Sequence, residues 1–206
     1  MVEYIVALQR RTKMKNKTQK IAVFASGSGS NAEQIIQYFA TRPLAEVIRL
    51  YSNNPNAYAI QRAHKHHIDT KVFDRPYFLS SDGLLAELLH QAPDLIVLAG
   101  FLWKIPSIIV DAFPKKIINI HPALLPNFGG KGMYGMHVHR AVIESGNTES
   151  GITIHYVNKN YDEGAVIMQS KVSISPTDTA ESLAQKIHKL EHAHFPPTIE
   201  KLLASD

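Results

Sequence analysis

Lys20-Ile-Ala-Val-Phe-Ala25 runs directly into Ser26-Gly-Ser-Gly-Ser-Asn31, and this junction decides the fold. The first six positions form a short apolar run with the length and β-branched content of a buried strand. The next six hold two glycines and three serines, a stretch built to turn sharply. Asn31 then caps a helical segment, Ala32 to Ala40, whose Ile35, Ile36 and Phe39 recur at helical spacing. Strand, glycine turn and helix together open an α/β unit.

The same alternation continues outward. Leu44 to Tyr51 reads as a strand stopped by Ser52-Asn53-Asn54-Pro55, Ala57 to His66 as a helix, and Thr70 to Phe73 as a short strand. Ser81 or Asp82 caps a helix through His90, with Leu84, Leu85, Leu88 and Leu89 as its apolar face. Asp94 to Ala99 reads as a fully buried strand, Ile108 to Phe113 as a helix after Pro106, and Lys116 to Ile120 as another strand. Beyond residue 120 the pattern changes. Pro126 to Met136 is a loop with four glycines, and His137 to Glu144 is helical. Gly151 to Asn158 and Ala165 to Ile174 alternate like strands around a turn at Asn160 to Gly164, the pattern of an antiparallel pair. Thr177 to Leu203 is a long helical pattern broken at Pro196-Pro197. The expected class is α/β: an open, mostly parallel, twisted Rossmann-like sheet with helices on both faces and antiparallel strands late in the chain.

The chain has 206 residues, enough for one domain or two small ones, and is 45% apolar and 19% charged, a globular balance. No apolar run approaches the ~18 residues of a membrane span, and the start does not read as a secretory signal. Cysteine is absent, which excludes disulfides, thiolate catalysis and cysteine-ligated metals and fits a reducing cytoplasm. The net charge of +4 is uneven. Six basic residues and one acid lie within residues 1–20, and residues 21–206 carry a balance of −1. The basic character therefore belongs to an extension over residues 1–19, read as disordered or partly ordered, ahead of a domain at 20–206. The body has no basic platform for nucleic acid.

In an open parallel sheet, ligands bind beyond the carboxyl ends of the strands. Three segments meet that condition. Ser26 to Asn31 offers flexible backbone, hydroxyl donors and a helix N-terminus, which suits a phosphate or serves as a tight turn into a helix. It lacks the lysine of a triphosphate loop and is not a full G-x-G-x-x-G. In Ile118-Asn-Ile-His-Pro122, Asn119 and His121 are two apart and project to one face of a strand, with Ile120 turned into packing. An amide beside an imidazole polarises a carbonyl and moves a proton. In Tyr161-Asp-Glu-Gly164, Asp162 is either solvated turn chemistry or a partner for the imidazole. An unperturbed histidine titrates near ~6.5, so a carboxylate beside His121 is expected to keep it cationic at neutral pH. His188 and His192, four apart on a helix, are spaced to bind zinc but lack the flanking carboxylate pattern of a zinc helix; no metal is expected.

Six motifs occur in order: Ser26 to Asn31; Asp94-Leu-Ile-Val-Leu-Ala-Gly-Phe101; Ile118-Asn-Ile-His-Pro-Ala-Leu-Leu-Pro126; Gly151-Ile-Thr-Ile-His-Tyr-Val157; Tyr161 to Gly164; and Leu190-Glu-His192. The set resembles the phosphoribosylglycinamide formyltransferase family of purine biosynthesis, over nearly the whole chain from Lys20. The resemblance implies transfer of a formyl group from 10-formyltetrahydrofolate, a cosubstrate, to the amine of glycinamide ribonucleotide, with no metal. It implies Asn119, His121 and Asp162 as the catalytic trio. Gly29, Ser30, Asn31, Pro122 and Glu191 would hold the ribonucleotide. Arg75, Leu102, Trp103, Lys104, Ile105, Ile117, Asn119, Val157, Asn158 and Tyr161 would line the folate site. The implied partners are small molecules, with neither nucleic acid nor membrane, in a cytoplasmic monomer or homodimer.

The chain departs from the family pattern in two places. Where many members carry an arginine two residues after Gly100-Phe101, Trp103 stands here, followed by Lys104. The loop with Gly129-Gly-Lys-Gly-Met-Tyr-Gly135 is longer than the shortest family form, and is expected to be either a flap that brings Lys131 to an anion or a variant surface loop. Rival readings are a formyltetrahydrofolate hydrolase, which would be expected to carry a further N-terminal domain, and a tRNA formyltransferase, which would need a C-terminal RNA-binding domain. A phosphate-binding module leaves Asn119, His121 and Asp162 unexplained, and a nicotinamide enzyme wants an acid at a strand end where Glu46 lies too early.

Overall fold

The computed structural model describes residues 18–205, so the basic extension read over residues 1–19 lies, up to residue 17, outside the described residues. Seven strands form one sheet: β1 (Gln19–Phe24), β2 (Ala45–Ser52), β3 (Thr70–Val72), β4 (Leu95–Leu98), β5 (Ile117–His121), β6 (Glu149–Tyr156) and β7 (Val166–Ser173). Their order is β3-β2-β1-β4-β5-β6-β7. The pairs from β3 to β5 are parallel, and β6 and β7 join antiparallel, as the alternation of the sequence implies. The chain leaves β1 toward β2 on one side and returns to β4 on the other, which opens a crevice at the carboxyl ends of those strands.

Alternate residues of the central strands face opposite layers. Ile21, Val23, Leu95, Val97, Ile118 and Ile120 pack into one buried cluster with Ile35, Leu183 and Phe195. Ala22, Phe24, Ile96, Leu98 and Ile117 pack into the other with Phe78, Leu84, Leu88 and Ile109. Each fully buried large apolar side chain contributes about 1.5–3 kcal/mol, so the two clusters fix the register of every strand. That register turns Asn119 and His121 away from the cluster holding Ile118 and Ile120.

The helices are α1 (Ser30–Phe39), α2 (Tyr58–Lys65), α3 (Arg75–Leu79), α4 (Ala86–Gln91), α5 (Ser107–Ala112), α6 (Met136–Glu144) and α7 (Ala180–Ser205). Three of them correct the sequence reading. First, Asn31 is not the cap of α1. Gly29, at φ 71°, takes the N-cap position without a side-chain bond, and Asn31 lies buried in the first turn. Second, no single helix runs from Ser81 to His90. Asp74 Oδ1 accepts the Tyr77 N–H to start α3, and Ser80 Oγ accepts the Asp82 N–H to start a turn over Ser81–Leu85 that kinks at Gly83 (φ −95°, ψ −116°) before α4. Leu89 is exposed, whereas Leu84 and Leu88 are fully buried.

Third, α7 is continuous through Pro196 and Pro197. The prolines remove two amide donors at a local cost of about 3 kcal/mol. Thr198 Oγ1 donates to the His194 carbonyl at 2.7 Å within the same turn. Ile187, Glu191, Phe195, Ile199 and Leu203 form one buried stripe on both sides of the prolines. Burial of Phe195, Ile199 and Leu203 offsets the local cost.

Candidate active site

The turn after β1 is held from several sides. Ser26 Oγ donates to Asn53 Oδ1 at 2.6 Å and accepts the Leu102 N–H at 2.9 Å, which ties β1 to the segment after β4. Ala59 N–H donates to Gly27 O, and Arg62 Nε donates to Ser28 O at 3.0 Å. Arg62 also pairs with Glu33. A β-carbon on Gly29 would run into Ala59, so the position requires glycine for space as well as for its positive φ. The first amides of α1, from Ser30 and Asn31, have no intrahelical acceptor, an arrangement chemically suited to an anion.

Asn31 turns inward. Its Nδ2 donates to Glu191 Oε2 at 2.9 Å, and its Oδ1 is buried without a partner. Glu191 is 6% exposed, and burial pushes its carboxyl up to about 7, against the Asn31 hydrogen bond that lowers it. Two segments 160 residues apart thus meet in one polar contact beside the turn.

The second cluster forms at the end of β5. The antiparallel register sets Asn119 opposite His155 and His121 opposite Thr153. Asn119 Nδ2 lies 3.1 Å from His155 Nε2, and His155 Nδ1 lies 2.9 Å from the Tyr156 carbonyl. The carbonyl requires a donor, so Nδ1 carries the proton and Nε2 accepts from Asn119. Burial holds His155 below the ordinary imidazole range, which keeps it in this neutral form. His121 Nε2 donates to the Phe128 carbonyl at 2.7 Å, and its Nδ1 faces Asp162 Oδ2 at 3.7 Å. The other Asp162 oxygen lies 3.6 Å from His155 Nε2. Gly130 N–H donates to Asp162 Oδ2 at 2.8 Å.

Asp162 sits in the left-handed region at φ 54°, and a β-carbon on Gly164 would strike the Tyr156 carbonyl. The Asp-x-Gly spacing is therefore what the bend back onto β6 requires. Thr153 Oγ1 donates to Ala123 O at 2.7 Å and accepts the Leu125 N–H, which fixes the chain just after His121 and Pro122.

The expected cationic His121 is not found. Burial lowers its pKa below 6.5, and this outweighs both the Asp162 charge and the Phe128 carbonyl, which raise it. The imidazole is 3% exposed, and desolvation penalises the cation more than a carboxylate at 3.7 Å favours it. Phe128 and Gly130 are the participants that sequence reasoning missed, together with the pairing of His155 with Asn119. His155 stood within a quoted motif, and its pairing with Asn119 depends on the β5–β6 register.

The residues read as folate-lining divide into two groups. Lys104 Nζ lies 5.4 Å from the Tyr161 ring centre, and both side chains reach solvent. Leu102 is exposed, while Ile105 and Ile117 are buried in the core below. Val157 N–H donates to Ile117 O, and Asn158 Oδ1 accepts the Asn160 N–H within the turn. Trp103 packs edge-on against Phe78 at 5.3 Å and carries the Arg75 guanidinium over its ring at 4.9 Å. Beside them opens a cavity of about 630 Å³ lined by Asn53, Lys71, Phe73, Arg75, Tyr77 and Trp103 among others. The rings of His188 and His192 stack 6.4 Å apart, and among the described residues no group of three or more histidines and carboxylates is placed to hold a metal ion. No helix among the described residues is long and apolar enough to cross a membrane.

Comparison with known proteins agrees with this architecture. A family model described as formyl transferase matches residues 19–199. A relative named phosphoribosylglycinamide formyltransferase, chloroplastic, from Arabidopsis thaliana is 43% identical over 182 residues, 85% of this chain and 62% of its own length. The phosphoribosylglycinamide formyltransferase of Bacillus subtilis is 36% identical over 190 residues, 90% of this chain and 95% of the relative. The chain thus spans less than two thirds of the plant relative and nearly all of the bacterial one. The crystal structure of phosphoribosylglycinamide formyltransferase from Anaplasma phagocytophilum superposes with a TM-score of 0.83 at 33% identity, covering 92% of this chain and 89% of that one.

Proposed function

The chain belongs to the formyl transferase family, and on that premise we propose that it transfers the formyl group of 10-formyltetrahydrofolate to the amine of 5′-phosphoribosylglycinamide, a step of purine biosynthesis. The observation that carries the proposal is the convergence of Asn119, His121 and Asp162 at the carboxyl end of β5, with one carboxylate facing two imidazoles. The phosphate of the substrate binds the amides of Gly29, Ser30 and Asn31. Glu191, held by Asn31, accepts from the ribose or the glycyl amine, with Pro122 at the wall between the two ends. The folate residues fit a flat heterocycle with an anionic tail: the face of Tyr161 and the cations of Lys104 and Arg75 supply stacking and charge, and Leu102 and Trp103 supply apolar surface.

The donor supplies an activated formyl carbon. Around it the chain works with its own groups. Asn119 donates an amide N–H to the oxyanion that develops at the formyl oxygen, and one such donor contributes about 3 kcal/mol in a dry site. His121 begins neutral, with its proton on Nε2 and its lone pair on Nδ1. As the new C–N bond forms, Nδ1 takes the proton that the attacking amine sheds. Asp162 opposes the new imidazolium charge, and the same proton passes to the departing folate nitrogen as the old C–N bond breaks. A histidine kept neutral at rest suits this role better than a resting cation.

We assign this activity to a catalytic domain over residues 20–206, acting on small molecules as a cytoplasmic monomer or homodimer. The family match over 19–199 supports the domain limits, and gel filtration with cell fractionation tests the remainder. For the reaction, the protein is mixed with 10-formyl-5,8-dideazafolate and the absorbance of the deformylated product is followed. Product that appears only with glycinamide ribonucleotide, and is lost in His121→Ala, supports transfer. Product without the ribonucleotide means a hydrolase. No product in either case overturns the enzyme reading.

A further inference from the structure

We propose that the glycine loop after β5 is a working part of the catalytic site: the Phe128 carbonyl locks His121 in its Nε2–H tautomer, and the Gly130 amide holds Asp162 facing Nδ1. The inference rests on the formyl-transfer reading for its kinetic consequence and on geometry alone for the tautomer. Two consecutive turns of one loop touch the two catalytic groups that β5 and the β6–β7 turn deliver from elsewhere. His121 Nε2 is 2.7 Å from Phe128 O, and Gly130 N is 2.8 Å from Asp162 Oδ2. A carbonyl oxygen only accepts, so the proton of a neutral His121 sits on Nε2. Nδ1 is thereby left as the basic nitrogen on the side where Asp162 lies.

The loop adopts the backbone this requires. Phe128 is at φ 56° and Gly130 at φ 98°, and a β-carbon on Gly129 would meet Leu125 Cδ2 at 2.5 Å and Asp162 Cβ at 3.2 Å. The left-handed Phe128 turns its carbonyl under His121. Gly129 lets the backbone pass against the base of Asp162. Gly130 then presents its amide to the carboxylate. Non-glycine residues in such conformations hold them only where surrounding contacts compensate, and the hydrogen bonds to His121 and Asp162 are those contacts. Phe128 and Gly130 are positioning residues, acting through His121 and Asp162.

Gly132 provides an internal control. At φ 89° it lies in the same loop with a comparable backbone demand, and a β-carbon on either glycine meets nothing within 4 Å, so the two differ in the Gly130 amide's hydrogen bond to Asp162. The test compares Gly130→Ala with Gly132→Ala. In Gly130→Ala, kcat falls by about tenfold or more while the KM of each substrate moves by less than about threefold. Gly132→Ala stays within about twofold in both. Independently of turnover, nitrogen NMR of ¹⁵N-histidine-labelled protein, with the signal assigned by its loss in His121→Gln, reads the tautomer directly. The expected wild-type signature is a protonated Nε2 and a bare Nδ1, retained in Gly132→Ala and blurred into exchange in Gly130→Ala. A protonated Nδ1 in the wild type overturns the proposal, as do equal kinetic losses in the two variants or no loss in either. A protein that shows the Nε2–H signature but transfers no formyl group refutes the functional reading and leaves the tautomer assignment standing.

Discussion

The two ends of this site are built in opposite ways. The end we propose for the phosphate is continuous sequence: Ser26 to Ser30 make one turn, its direction set by Gly29, its frame tied to Asn53, Ala59 and Arg62 by hydrogen bonds. The reaction end has almost no local structure of its own. It draws Asn119 and His121 from β5, Phe128 and Gly130 from a loop, His155 from β6 and Asp162 from a turn. A recognition element that reads a phosphate needs only backbone amides, which one turn supplies. Proton transfer needs a particular nitrogen, carboxylate and amide at fixed relative positions, and no short segment supplies all three. The first end is therefore robust to side-chain change and sensitive to backbone change, whereas the second is sensitive to both.

Paired substitutions break or sharpen that contrast. At the reaction end, Asp162→Asn keeps the shape, with the Gly130 amide still facing an oxygen, and removes the charge. The expected loss is about 10³-fold in kcat with KM for the ribonucleotide within about threefold, measured by steady-state kinetics with both substrates varied. A fall in affinity instead of kcat would show that Asp162 belongs to binding. At the phosphate end, Gly29→Ala adds a methyl that runs into Ala59 at a positive φ. The expected cost is about 2–3 kcal/mol, read as a lower denaturation midpoint together with a raised KM for the ribonucleotide. A Ser30→Ala change at the same end, which leaves the amides in place, should shift that KM by less than about fivefold.

The same contrast explains what could be read in advance. Parallel strands β1, β4 and β5 were legible because each carries an apolar run that faces core on both sides, and Asn119 and His121 were legible because a period of two places them together. His155 was hidden because its role arises from pairing opposite Asn119, a long-range register. Phe128 and Gly130 were hidden because they act through backbone atoms, which side-chain chemistry does not announce. The resting charge of His121 was misjudged for a related reason: a partner carboxylate is visible in sequence, whereas 3% exposure is a property of the packed fold. The break expected at Pro196-Pro197 failed because local backbone cost was weighed without the buried stripe through Phe195 and Ile199.

Glu191 carries the comparison into stability. Its folded carboxyl titrates at about 7, above an unfolded value near 4.5. The folded state therefore binds the proton more tightly, and this contribution to stability is present below pH ~4.5 and lost as pH rises through about 7. Glu191→Gln keeps an oxygen acceptor for Asn31 and removes the titration. Relative to the wild type, the variant should gain about 2–3 kcal/mol between pH 4.5 and pH 8, read from denaturant melts at the two values. His139, buried and pushed down to about 4, runs the other way: its contribution is present above pH ~6.5 and lost as pH falls through about 4. It is common to both proteins and cancels in the comparison. An equal difference at both pH values would mean that Glu191 is ionised throughout.

The smallest effect is expected at Lys104, an exposed residue on the proposed folate side. Its ammonium sits 5.4 Å from the Tyr161 ring centre, and both groups are partly open to water. A cation over an exposed ring contributes about 0.5–1 kcal/mol, so loss of that pair alone costs the fold little. Lys104→Ala should raise the KM for the folate donor by about two- to fivefold and leave kcat and the ribonucleotide KM unchanged within error. Arg75→Ala should do the same through the Trp103 face, and the double variant should multiply the two effects, because the contacts are separate. A change confined to the ribonucleotide KM would move Lys104 from the donor side of the site to the phosphate side and redraw the boundary between its two halves.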